Sequence, residues 1–385
     1  MKKIGKHLFV LTTLSLILSA CSTFFDKDNT PPPAQLVKFK SELNVRNSWY
    51  SSTGAGIDND YLKLTPSISG STIFTASRNG TVAANDKVTG KSLWRANVNS
   101  AITGGTSTYN NAVYVGTSDG QVIALNQADG TVLWKANTTS EILASPVANR
   151  NAVLAKSIDG HVRAFSATDG HVLWNYQEEA GPSLILRGGS APQLASDSAV
   201  VGFENGSLVK LSLSGGREQW QTAVAEPQGI FAIQRMIDID ADPIIVGNRV
   251  YAATYQGRIA ALHLANGQEI WNHDISSFSG IASDGDNVFV SDAKSHLYAF
   301  NSSNGTEDWQ QDELEARVIT GPAVISNYVV VGDAEGYLHW IDKQDGHMVA
   351  RTFVNKSGII ATPIVDHNIL YVYTKDGHLA AYTFA

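Results

Sequence analysis

The chain has 385 residues, a single cysteine, 33 glycines and eight tryptophans, and 28 basic against 36 acidic side chains give a formal net charge of −8. An acidic surface disfavours nucleic acid and anionic lipid as partners. One cysteine excludes an internal disulfide, and the length exceeds a typical single domain unless a closed repeat holds it together.

In chain order, the first feature is an export signal over residues 1–20. Lys2, Lys3 and Lys6 precede an apolar run from Leu8 to Leu18, too short for the roughly 20 residues that span a bilayer. The run ends at Leu18-Ser19-Ala20-Cys21. This pattern resembles the cleavage site of bacterial lipoproteins, and the resemblance implies that the Cys21 thiol carries a diacylglycerol and its amino group a third acyl chain. Ser22, where such lipoproteins often carry Asp for inner-membrane retention, favours the outer membrane. Residues 21–44, with Asp26, Asp28 and the run Pro31-Pro32-Pro33, read as a lipidated, extended tether.

From residue 45 to 385 one unit repeats eight times. Turn glycines stand at Gly80, Gly120, Gly160, Gly206, Gly257, Gly336 and Gly377, with Ser295 as the substitute. A second glycine follows at fixed spacing (Gly90, Gly130, Gly170, Gly216, Gly267, Gly305, Gly346), then Trp94, Trp134, Trp174, Trp220, Trp271 and Trp309, with Ala350 in the seventh unit. In the third unit, Ile142–Ala148, Ala152–Ser157, His161–Ser166 and His171–Gln177 read as four strands separated by turn residues, among them Asp159-Gly160 and Asp169-Gly170, a turn type that demands φ > 0. No long amphipathic helical period intervenes. The expected fold is all-β: an eight-bladed β-propeller of four-stranded blades. The eighth unit lacks its outer strand, and Val45–Ser51 around Trp49 supplies it, so the N-terminal strand closes the ring and removes a free edge. Seven tryptophans at one repeat position, Trp49 included, point to blade docking. Trp340 falls outside the pattern and receives no role.

Repeats place their insertions on one face. The two longest connections follow Trp174 and Trp220, in adjacent blades. The first contains Ser183-Leu184-Ile185-Leu186-Arg187-Gly188-Gly189, and the second Arg235-Met236-Ile237-Asp238-Ile239-Asp240-Ala241-Asp242. Together they read as an apolar patch, a cation and an acidic row suited to a protein partner. The other reading has the leucines folded back on the propeller and the aspartates solvated.

These two loops, the Cys21 motif and the eight-unit pattern together resemble the BamB family, lipoproteins of the bacterial β-barrel assembly machinery, over essentially the whole chain. The resemblance implies a periplasm-facing, lipid-anchored accessory protein of the outer membrane that binds the POTRA domains of BamA. Carried over by motif, Leu184, Leu186 and Arg187 form the contact, and Asp238 and Asp240 tune it electrostatically. Outer blade strands are expected to hold nascent outer-membrane proteins by strand addition.

Catalysis finds no constellation. Ala83–Trp94 resembles the tryptophan-docking repeat of quinoprotein dehydrogenases, which fixes fold and not activity. Gly90-Lys91-Ser92 lacks the first glycine of a phosphate loop, and no Gly-x-Ser-x-Gly elbow occurs. Asp238-x-Asp240-x-Asp242 fails as a calcium loop because Pro243 and Arg249 stand where Gly and Glu are needed. The histidines show no zinc spacing. The expectation is a non-enzymatic chain with no cofactor and no metal; the alternatives are a propeller that binds a glycan or small ligand in its central channel and, a distant third, a quinoprotein-type dehydrogenase.

Overall fold

The structure, a computed structural model, describes residues 30–58, 60–178, 184, 186 and 188–385. Two compact units divide the chain, Met1–Pro33 and Ala34–Ala385. In the first, the described residues Thr30–Pro33 lie in neither helix nor strand. Cys21 lies outside the described residues.

The second unit contains eight sheets, each of four antiparallel strands. Seven blades follow the chain in simple meander order, beginning with Ser67–Ser69 and ending with Met348–Phe353. The eighth joins Ile364–Asp366, Ile369–Tyr373 and His378–Phe384 to the N-terminal strand Val45–Ser52, which pairs from Val45↔Phe384 to Ser52↔His378. The register of this closing pair slips between Asn47 and Trp49. The same bulge recurs just before the docking residue in the other blades, as between Ala84 and Asn85 or Ala124 and Leu125, and such bulges add local twist. The N-terminal strand therefore reproduces the outer-strand geometry of its neighbours.

The second and third strands are almost wholly apolar and buried on both faces, as in Ala112–Thr117 and Gln121–Asn126. The inner strands are shorter than the sequence suggests; in the third blade only Val147–Ala148 pairs. Blades are fastened by the repeated tryptophan. Each indole lies over the second glycine of the next blade, where a Cβ would stand 2.5 Å from Trp49 at Gly90 and 2.6 Å from Trp94 at Gly130. Gly90 also adopts φ +71°, so both space and backbone require glycine there. Each indole N–H donates to the same next blade: Trp49 to the Lys87 carbonyl at 3.1 Å, Trp94 to Gln127 at 2.8 Å, Trp134 to Ala167 at 3.2 Å, Trp174 to Leu213 at 2.9 Å, Trp220 to Leu264 at 3.0 Å, Trp271 to Ser302 at 3.1 Å, and Trp309 to Lys343 at 2.9 Å.

The seventh blade docks on the eighth differently. Trp340 pairs with Ala350 across the third and outer strands, where the other blades pair an alanine or Lys210 with the tryptophan. Trp340 is fully buried and packs on Tyr328 at 6.2 Å and on the C-terminal Phe384 at 5.4 Å. Its unassigned position is thus resolved as the docking residue of this joint, moved one strand inward.

The expected tether is shortened by the structure. From Ala34 the chain lies along the seventh blade: Arg351 donates to the Val37 carbonyl at 2.9 Å and stacks on Phe39 at 5.1 Å, and Glu42 N donates to the Val349 carbonyl at 2.9 Å. Residues 34–43 are therefore part of the folded unit.

Candidate functional site

The two long connections meet on the face that carries the outer-to-inner crossings. The segment Met236–Asp242 runs extended, so successive side chains point to opposite sides. Ile237 and Ile239 turn inward and press on Gly206 and Gly202, where a Cβ would lie 2.7 and 2.4 Å from them. Asp238, Asp240 and Asp242 turn the other way, onto the first loop. Asp238 Oδ1 accepts the Leu186 N–H at 3.0 Å, Gly188 stands against the Asp240 carboxylate where a Cβ would be 2.5 Å from its carbon, and Asp242 Oδ1 accepts the Ala191 N–H at 2.7 Å.

This arrangement corrects the expected role of the acidic row. Asp238 and Asp240 are 0% and 3% exposed, so neither offers charge to a partner. They form a backrest that fixes the loop above them. The alternation in the sequence showed two faces but not that both are buried. The loop itself leaves Leu184 42% exposed and Leu186 half-buried. Arg187 lies outside the described residues.

The electrostatics of the backrest are strained. Burial, then the neighbouring Asp240 charge, pushes Asp238 up to about 7. Burial pushes Asp240 up to about 6 against the pull of Lys63 and Lys156. Asp242 opens onto the central channel but is enclosed by protein, and that desolvation raises it too. Lys63, whose own value is lowered by burial, donates to the carbonyls of Asp240 (3.3 Å) and Phe278. Lys156 is buried behind the row, donating to Glu204 at 2.9 Å and to the Gly202 carbonyl at 2.7 Å. Asp238 Oδ2 and Asp240 Oδ1 are buried without a hydrogen-bond partner among the described residues.

The sequence reading missed a second apolar element. In the connection after Trp220, Ile230, Phe231 and Ile233 are 90%, 67% and 61% exposed around the single helical turn Ala232–Arg235. Gln234 Oε1 accepts the N–H groups of Ile230 and Phe231 at 3.1 and 3.2 Å and holds the turn. The signal was a run of large apolar residues beside Gly229 in a long loop, where solvated loops are polar.

The central channel holds a cavity of about 360 Å³ lined by Lys63, Thr65, Thr106, Asp240, Asp242 and Thr362 among others. Among the described residues one group has metal-ligand spacing, Asp342, Asp345 and His347, in a surface turn. Its carboxylates are engaged by the turn itself: Asp342 accepts from Gln344 N at 2.8 Å and Asp345 from His347 at 2.5 Å.

Fold and site together define a class: a closed eight-bladed propeller whose one elaborated face carries a braced, apolar-tipped loop. The family described as "Outer membrane protein assembly factor BamB" matches residues 78–311 and 303–385. A Pseudomonas aeruginosa protein of that description is 45% identical over 378 residues, covering 98% of both chains. The crystal structure of BamB from Moraxella catarrhalis superposes with a TM-score of 0.81 at 25% identity, over 88% of this chain and all of that one. A quinohemoprotein alcohol dehydrogenase from Comamonas testosteroni shares the fold alone, at 14% identity and a TM-score of 0.70 over 88% of this chain and 76% of that one. The chain belongs to the BamB family of outer membrane protein assembly factors.

Proposed function

We propose that this chain is a non-enzymatic accessory lipoprotein of outer-membrane β-barrel assembly. It is anchored in the outer membrane through Cys21, faces the periplasm, and docks on the POTRA domains of BamA. Leu184, Leu186 and Arg187 make the contact; Asp238 and Asp240 act beneath them by fixing the loop. The observation that carries this reading is the braced loop: Asp238 and Asp240 are buried, and Asp242 accepts the Ala191 N–H, to hold a segment that leaves Leu184 42% exposed. Burying unsatisfied carboxylate oxygens is costly, and that cost is consistent with a loop whose position serves recognition. Ile230, Phe231 and Ile233 add apolar area from the adjoining connection.

The test is binding of the full chain to the purified POTRA region of the same organism's BamA, beside the Leu184→Ala/Leu186→Ala/Arg187→Ala variant. Hot-spot truncation at a protein interface should weaken binding by roughly tenfold or more at unchanged thermal stability. Equal binding by both proteins would move the interface elsewhere. Binding by neither would shift attention to the channel cavity and a small ligand.

A further inference from the structure

Blade seven buries a charge cluster around one histidine. His339, on the third strand Tyr337–Asp342, and Asp333, just after the second strand, are both 0% exposed. The Asp333 carboxylate is saturated. Its Oδ2 accepts from Arg317 Nε at 2.7 Å and from His339 Nε2 at 2.9 Å, and its Oδ1 accepts the N–H groups of Glu335 and Tyr337 at 3.0 and 2.8 Å. Against the raising effect of burial, the bonds from His339, Tyr337 and Arg317 hold Asp333 below its ordinary value. Arg351 stands directly opposite His339 on the outer strand, and its Nε donates to His339 Nδ1 at 3.3 Å.

These partners fix the state of the ring. Facing a carboxylate, Nε2 carries the hydrogen; facing a guanidinium, which only donates, Nδ1 must accept. His339 is therefore neutral. The same guanidinium holds the N-terminal arm: Arg351 Nη1 donates to the Val37 carbonyl at 2.9 Å, and Phe39 stacks on it at 5.1 Å. Phe39 packs in turn against the apolar cluster that contains Met348. His339, Arg351 and Phe39 thus lie in three layers, from a fully buried ring to a half-buried cover.

We infer that His339 is an acid-sensitive latch for this arm: a proton added at Nδ1 detaches Arg351 and lifts Val37–Phe39 off blade seven. A protonated Nδ1 aims an N–H at the Arg351 N–H, so two donors and two positive charges meet where one hydrogen bond was. Arg351 is the partner that can move, because it is half-buried while the ring is enclosed and tied to Asp333. Among the described residues, the charged and titratable groups around this pair are Asp333 and Glu335 from the turn, Arg317 and Glu313 from the connection before the blade, and Tyr337 on the same strand; the arm brings Lys38 and Lys40, both exposed. Burial lowers the His339 pKa against the pull of Asp333, and Arg351 and Arg317 lower it further. The docked arm therefore disfavours the proton that a lifted arm, with water at the ring, accepts near the ordinary value of 6.5. Docking is complete above that value and weakens as pH falls below it. The two ends stay held. Ala34 is bonded to Arg317 and to the Glu315 carbonyl, and Glu42 to the Val349 carbonyl and to His347, whose pKa is raised by its bond to Asp345. Acid thus opens the middle of the arm and bares the cluster around Met348, which is 8% exposed beneath it.

The test places para-fluorophenylalanine at position 39 of the full chain and follows its fluorine NMR signal from about pH 7.5 to about pH 5. The parent should show one docked resonance at the upper end. A second, narrow, solvent-exposed resonance should grow on acidification, its ratio to the docked one rising roughly tenfold or more over the range, as linkage to one proton allows. Near-UV circular dichroism should stay unchanged. His339→Gln, whose amide donates and accepts but does not titrate, should keep the docked resonance throughout. Arg351→Met, at a half-buried position, should show the exposed resonance at every pH, and it decides the matter if His339→Gln fails to fold. The titration of Asp238 and Asp240 is common to all three proteins and cannot mimic the difference. A docked resonance unchanged at pH 5, the same acid response in His339→Gln, or an acid response retained by Arg351→Met would overturn the inference. So would a loss of the docked resonance that coincides with loss of the near-UV signal, which would be unfolding of the blade and not release of the arm.

Discussion

At the scale of single residues, the joint between blades seven and eight shows why one deviation from the repeat entails another. A docking indole needs a glycine beneath it in the next blade, and that glycine belongs to the turn joining the third and outer strands. In the eighth blade no such turn exists: its third strand ends at Phe384 and its outer strand is Val45–Ser52. An indole at position 350 would have no seat. Trp340 fills the gap from the neighbouring strand, with its N–H left unpartnered. Trp340→Ala should cost about 3–5 kcal/mol through the cavity it opens. The swap Trp340→Ala/Ala350→Trp, which restores the repeat consensus, should not recover the parent's stability in denaturant unfolding. Full recovery would show that the seat is not what decides the residue. This is also why Trp340 was illegible in the sequence. Spacing along the chain cannot show that positions 340 and 350 face each other across a strand pair, whereas glycine and tryptophan offsets that recur unit after unit gave the blades and their closure directly.

At the scale of elements, the brace between the two long connections depends on pH. Asp238, raised to about 7, and Asp240, raised to about 6, bind protons in the fold that the unfolded chain gives up near the ordinary aspartate value of 3.8. The folded state therefore holds more protons across that window, and its stability rises as pH falls from about 7 towards 3.8 and declines as pH rises through it. His339 works the other way. Burial lowers its pKa, so the fold binds fewer protons than the unfolded chain just below 6.5. A comparison with Asp238→Asn cancels that opposing contribution, because His339 is the same in both proteins, and the amide oxygen can still accept the Leu186 N–H. The variant should be more stable than the parent at about pH 8, and the advantage should shrink towards about pH 5, read as melting temperatures across the range. A difference independent of pH would show that Asp238 does not titrate with folding. The alternation of this segment was legible, and so was its association with the preceding loop. Its burial was not, because a two-residue period says that two faces differ without saying what covers each.

At the scale of the whole molecule, the N-terminal residues of the propeller do two jobs that truncation can separate. Val45–Ser52 closes the ring: it completes the eighth sheet and lays Trp49 on Gly90 of the first blade, which joins the last blade to the first. Residues 34–43 close nothing. They cover the apolar outer edge of blade seven and are pinned there by Arg351 and by Arg317, which donates to the Ala34 carbonyl at 2.8 Å while bonded to the buried Asp333 at 2.7 Å. A chain beginning at Asn44 keeps the closing strand and exposes Met348 and Val349. It should retain a cooperative thermal transition near that of the parent but self-associate, since an uncovered apolar edge pairs with another. A chain beginning at Thr53 loses the closing strand as well. Removing Trp49 alone forfeits roughly 3–5 kcal/mol, and the third strand of blade eight becomes a bare edge, so this chain should melt well below the other and aggregate on heating. Thermal unfolding followed together with light scattering distinguishes the two. If the shorter truncation melted as low as the longer one, residues 34–43 would be part of the closure and not a cover laid over a finished ring.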